Sequence, residues 1–232
     1  MHSPNPGNGC KYEANMSVPD GAAPRLRGAS HLLASLAALA AAVALIERAP
    51  SPRARFALAV YGAGLVALFG CSALYHRWPG SMRFKPVLRR IDHSTIFVFI
   101  AATYTPIALL VLNGTLAWAL LAIAWAGAAA GVTFSLGWIT APRRVIVACY
   151  LTLGWAALTA VPRLATLLAP APLLLIVGGG LLYSIGALVY ATRRPDPWPR
   201  TFGFHEVFHA LVIAAAAAQY IAIAGWIVPA AR

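Results

Sequence analysis

Long blocks of apolar residues alternate with short polar clusters along the chain, falling at 29–46, 54–75, 91–112, 116–136, 145–161, 173–191 and 204–228. A helix rises about 1.5 Å per residue, so blocks of this length cross about 30 Å of hydrocarbon. Glu47, Arg48 and Pro50 end the first block, and Gly114 forms a tight link between the third and fourth. The pattern predicts an all-α polytopic membrane protein, a seven-transmembrane-helix bundle occupying 29–232 as a single domain. Residues 1–28 are rich in Pro, Gly, Asn and charge, without the basic start and short apolar core of a cleaved signal. They are expected to form a disordered tail.

Composition agrees with the pattern: 60% hydrophobic residues, 10% charged residues and a mean hydropathy of +0.73 do not describe a soluble domain. A formal charge of +12 raises the possibility of nucleic acid. The basic residues, however, sit in small groups between apolar runs and form no stripe along a polar helix, which excludes that partner class. They serve better as topological anchors. With seven spans, one side holds Lys11, Arg25, Arg27, Arg77, Arg83, Lys85, Arg89, Arg90, Arg143, Arg144, Arg193, Arg194 and Arg200. The other holds Arg48, Arg53, Arg55, Arg163 and Arg232, so the split is thirteen against five. Positive charge marks the cytoplasmic side, which predicts a cytoplasmic N-terminus, an external C-terminus and residence in the cell membrane.

Cys10, Cys71 and Cys149 are too few and scattered for a disulfide framework or thiolate cluster, and read as buried neutral thiols. Pro106 is expected to bend the third span, with nearby hydroxyls covering the freed carbonyl. Gly62, Gly64 and Gly178 to Gly180 would let helices approach closely. Trp78, Trp138, Trp198 and Trp226 take the places of interfacial belt residues.

Ionisable groups at the edges of apolar spans are costly and point to function. Three motifs supply them: S-A-L-Y-H at Ser72 to His76, I-D-H at Ile91 to His93, and H-E-V-F-H at His205 to His209. His76 ends the second span, Asp92 opens the third, and His205 and His209 open the seventh. All therefore reach the same face, predicted to be cytoplasmic.

Residues four apart share a helical face about 6 Å apart along the axis, so His205 and His209 both can point inward, as can Ser72 and His76. Zinc takes imidazole nitrogens at about 2.0 to 2.1 Å, and three protein ligands with one open position is the catalytic pattern. His76, His205 and His209 are assigned as the ligands. Zinc lowers the pKa of bound water to about 7, supplying a nucleophile. Asp92 is placed as the carboxylate that orients the water and accepts its proton, and Ser72 as a hydrogen-bond donor beside it.

Other readings of these residues stay open. A histidine pair near a helix end is often interfacial and solvated. Asp92 can instead pair with Arg89 or Arg90, and Ser72 can bond back to a helical carbonyl. His31 and His93 read as rim residues, Glu206 as a secondary candidate beside a ligand but off its face, and His2 as part of the tail.

In this order, S-A-L-Y-H, R-R-I-D-H-S-T-I-F running into A-A-T-Y-T-P, and H-E-V-F-H-A-L-V-I resemble the motifs of the hemolysin III branch of the progestin and adipoQ receptor family. The resemblance extends from Arg25 to Val228 and includes P-R-L-R-G-A-S-H before the first span. It implies a seven-helix bundle with zinc near the cytoplasmic face on His76, His205 and His209. It further implies a supporting or catalytic role for Asp92, with Ser72 in the serine position. The wider superfamily includes alkaline ceramidases, which implies amide hydrolysis on a membrane lipid.

Three functional classes follow. The first is a zinc hydrolase cleaving an amide or ester bond in a membrane lipid. The second is a non-enzymatic membrane regulator or receptor-like protein in which zinc braces the helices. The third is a pore-forming cytolysin, prompted by the family's name alone, since a pore lining needs polar residues through its full depth. A retinal-type pump is excluded because Lys11 and Lys85 both fall outside the spans, leaving no buried amine for a Schiff base.

Overall fold

A computed structural model of the chain describes Pro24 and residues 26–138 and 140–231. Most of the expected tail, including His2, Cys10 and Lys11, lies outside the described residues, as do Arg25 and Arg232. The described end of the tail, residues 26–28, forms a turn.

The helices are α1 (Ala29–Glu47), α2 (Pro52–Arg77), α3 (Lys85–Leu110), α4 (Gly114–Gly137), α5 (Arg143–Trp155), α6 (Val161–Leu167), α7 (Pro170–Thr192) and α8 (Phe204–Ala222). A π-helical turn, Ile223–Ile227, and a last turn, α9 (Val228–Ala230), continue α8. No strand occurs among the described residues. Six helical segments are long and apolar enough to cross a membrane, and the bent pair Arg143–Thr159 and Val161–Leu167 makes a seventh.

Local chemistry sets the helix starts. Ser51 accepts a hydrogen bond from the Ala54 N–H at 3.2 Å and Pro52 follows it, a preorganised first turn for α2. Pro86 and Pro170 likewise stand in the first turns of α3 and α7. As a result α3 begins at Lys85, six residues before the apolar block, and carries Arg89 and Arg90 within the helix rather than in a loop.

The fifth span also departs from a straight rod, bending by 48° between α5 and α6. Its cause lies on α3. The Tyr104 hydroxyl accepts the Ala157 N–H at 3.0 Å and shares its one proton between the Leu153 carbonyl, at 2.9 Å, and the Gly154 carbonyl. Those backbone groups would otherwise bond along the helix, so an imported hydroxyl makes the break tolerable inside a membrane.

The core joins Leu45, Leu58, Tyr61, Phe99, Leu120, Leu164 and Ile223 from six of these segments. Large apolar side chains also face outward, among them Leu33, Leu36, Trp118, Leu174 and Leu188. An outward apolar belt around a packed interior is the arrangement lipid requires. Helices α1 and α2 approach closely at Gly62, where a Cβ would lie 2.6 Å from that of Ala42. Of the triple glycine on α7 only Gly179 meets a neighbour; Gly178 and Gly180 face open space, which corrects the expectation for the three. Pro106 is buried within α3, and the hydroxyls of Thr103 and Thr105 bond the Phe99 and Ala101 carbonyls, both before the Ala102 carbonyl that the proline leaves without its helical partner.

The connections alternate the helix directions. They place the C-terminal ends of α2, α4 and α7 and the N-terminal ends of α1, α3, α5 and α8 at one end of the bundle. All three sequence motifs arrive there.

Candidate metal centre

His76 comes from the last turn of α2, and His205 and His209 from the first turns of α8. Four-residue spacing puts the α8 pair on one face, with ring centroids 4.4 Å apart. The His205 and His76 Nε2 atoms are 3.0 Å apart, and one nitrogen from each of the three rings lies within 4.8 Å of the others. Nitrogens bound to one ion at about 2.0–2.1 Å stand about 3.4 Å apart in a tetrahedron, so the rings need only small movements to share a metal. A second observation favours a cation: the Nδ1 of His209 is buried without a hydrogen-bond partner. Imidazole donors suit a transition metal such as zinc, copper, iron or nickel.

His31 belongs here, which the sequence did not reveal. It is 3% exposed, not a rim residue, and its ring stacks on that of His209 with centroids 3.7 Å apart. Phe69 closes over its edge at 5.1 Å. The cause is the turn at residues 26–28. Gly28 has φ +75°, a conformation that L side chains rarely adopt, and a Cβ there would lie 2.7 Å from that of His76. The chain thus enters α1 directly against the end of α2, drawing His31 into the cluster.

Glu206, also a secondary candidate in sequence, is 2% exposed and acts as a staple. Its carboxylate receives the Arg27 Nε at 2.5 Å and the Gly203 N–H at 2.9 Å. The first of these contacts ties the entry segment to α8, and the second caps α8. Leu26 reinforces the tie by donating its N–H to the Thr201 carbonyl at 3.4 Å.

Asp92 is outside the set of three clustered nitrogens but shares a cavity wall with His205 and His209. The Ser72 hydroxyl hydrogen-bonds its carboxylate, and His93 Nδ1 lies 3.7 Å from its Oδ2. Neither Arg89 nor Arg90 comes within ion-pair distance of it. His93 is half-buried, hydrogen-bonded through Nδ1 to the Arg89 carbonyl at 2.9 Å, and lines the cavity.

The cavity holds about 200 Å³ and runs from these polar groups into an apolar interior lined by Ile96, Phe99, Ile107, Leu164 and Val212. Gln219 lies at its far reach, ten residues and so about 15 Å along α8 from His209. A polar end continuous with an apolar chamber suits an amphiphile.

Comparison with known proteins agrees with this architecture. Residues 22–220 match the family described as "Haemolysin-III related". "Hemolysin-3" of Bacillus cereus is 29% identical over 205 residues, covering 87% of this chain and 90% of that protein. "Hemolysin-3 homolog" of Bacillus subtilis (strain 168) is 33% identical over 164 residues, covering 71% and 74%. The human "Monocyte to macrophage differentiation factor" is 30% identical over 173 residues, covering 71% and 67%. With its three histidine and aspartate motifs gathered at one end of a helical membrane bundle, this chain belongs to the haemolysin-III related family, the hemolysin III branch of the progestin and adipoQ receptor family.

Proposed function

We propose that His76, His205 and His209 bind zinc and that the protein hydrolyses an amide or ester bond in a membrane lipid. The observation that carries this reading is the junction of three convergent imidazoles with the Ser72–Asp92 pair at the polar end of a largely apolar cavity. When bound, zinc would supply a Lewis acid and lower the pKa of a water molecule to about 7. The protein's residues do the rest. Asp92 accepts the proton from the attacking water and returns it to the leaving group, with Ser72 fixing the carboxylate's orientation. The apolar chamber holds the acyl chain and excludes bulk water. The thirteen-to-five charge asymmetry supports a site at the cytoplasmic face of the cell membrane.

Metal analysis of the purified protein beside His76→Ala and His209→Ala, followed by lipid turnover with wild type and Asp92→Asn, tests the proposal. One equivalent of zinc lost in both histidine variants is expected, together with a lipid product that Asp92→Asn fails to form. Zinc-loaded protein that leaves a broad panel of ceramides and acyl lipids intact would refute the hydrolase.

One observation favours a second reading, a membrane regulator with structural zinc. The histidine cluster joins α2 to α8, while α2 otherwise packs chiefly on α1 and α3, and α8 on α7. Chelation should then lower thermal stability while Asp92→Asn leaves every phenotype unchanged.

A further inference from the structure

At the same end of the bundle a second, small cleft opens between α3, α4 and α5, lined by Arg89, Arg90, His93, Ser135, Trp138 and Ile146. The Arg90 Nε is buried without a hydrogen-bond partner. Neither Arg89 nor Arg90 forms an ion pair with a carboxylate among the described residues. The acids at this end are engaged elsewhere: Asp92 with Ser72, Asp196 with the Phe204 N–H, and Glu206 with Arg27. A guanidinium donor withdrawn from water and left unmet is costly, and an anion from outside the chain would meet it.

The surroundings indicate what carries that anion. Trp138, 48% exposed, follows the last turn of α4 and takes an interfacial position beside the cleft. Leu136 and Val145, both exposed and apolar, are sequence neighbours of the cleft residues Ser135 and Ile146. A pair of arginines with an interfacial indole and an apolar exit offers a phosphate group a planar, bidentate grip and its acyl chains a dry path. We infer that this cleft binds the phosphate of an anionic phospholipid, gripped by Arg89 and Arg90 with the Ser135 hydroxyl as an added donor. The site is independent of any metal at the histidines, although His93 forms part of the wall of both cavities.

Delipidated protein in neutral detergent, titrated in native mass spectrometry, tests this. The probes are phosphatidylglycerol, phosphatidylcholine and inorganic phosphate. Phosphatidylglycerol is expected to bind at least about tenfold tighter than phosphatidylcholine, the worth of one charge-assisted contact. Inorganic phosphate at equal concentration should not displace it. Arg89→Gln with Arg90→Gln should abolish the preference, whereas Arg53→Gln with Arg55→Gln, at the other end of the bundle, should keep it. Arg90→Lys retains the charge but loses the fork, and should weaken binding severalfold even if the double variant does not fold. Equal binding of both lipids, displacement by inorganic phosphate, full binding by Arg90→Lys, or equal loss in the Arg53 and Arg55 variant would each overturn the assignment.

Discussion

The Arg27–Glu206 contact fastens the entry segment over the histidine cluster, and its energy can be isolated by a double-mutant cycle of Arg27→Met and Glu206→Gln. Glu206 is 2% exposed and Arg27 24% exposed, with 2.5 Å between Nε and Oε1. Removing one partner of a fully buried pair costs about 3–5 kcal/mol, but water reaches the arginine, so Glu206→Gln should cost about 2–3 kcal/mol. The substituted amide oxygen can still accept the Gly203 N–H, so the cap survives and the loss reports the ion pair. Arg27→Met keeps much of the stem's packing and should cost about 1–2 kcal/mol. If the two charges act on each other, the double variant falls short of the sum by about 1 kcal/mol or more. Equilibrium unfolding in mixed micelles, followed by circular dichroism, gives all four stabilities. Additivity within about 0.5 kcal/mol would refute the staple and leave the contact an incidental surface pair.

Gly28→Ala should destabilise by about 2–3 kcal/mol, combining left-handed strain with a clash on His76, and thermal melting in detergent measures it. Tyr104→Phe removes the hydroxyl that satisfies the break in the fifth span and should cost about 1–3 kcal/mol; a variant as stable as wild type would show that the bend holds without it. His31→Ala removes the ring stacked on His209 and should weaken metal binding by a few-fold in competition with a chelating dye, without abolishing it. Liposomes containing the protein should retain a trapped dye, because the cavity's lining is largely apolar and offers no continuous polar path, and zinc-independent release would contradict this.

The spans were legible because hydrocarbon tolerates only long apolar helices, a constraint written in every block. The His205 and His209 pair was legible because helical spacing alone puts both rings on one face, and parity of spans brings His76 to the same end. His31 was not, because a single histidine at the start of α1 carries no sign of which way it faces. Its burial is decided by a turn at Gly28 and by rings on α2 and α8. The role of Glu206 depended likewise on Arg27, 179 residues away in a polar segment that reads as tail. The bend between α5 and α6 escaped for a similar reason, since Tyr104 lies some fifty residues before the carbonyls and amide it binds.

The 129 residues separating His76 from His205 give their proximity a further meaning. An ion shared by these two rings would act as a reversible cross-link closing a loop of that length. For a free chain such closure removes about 5 kcal/mol of disorder from the unstructured state. In a bilayer, where spans are already confined, that figure is a ceiling. The grip would matter most during assembly, when α2 must wait for α8, the last long helix, before the ring of ligands can close.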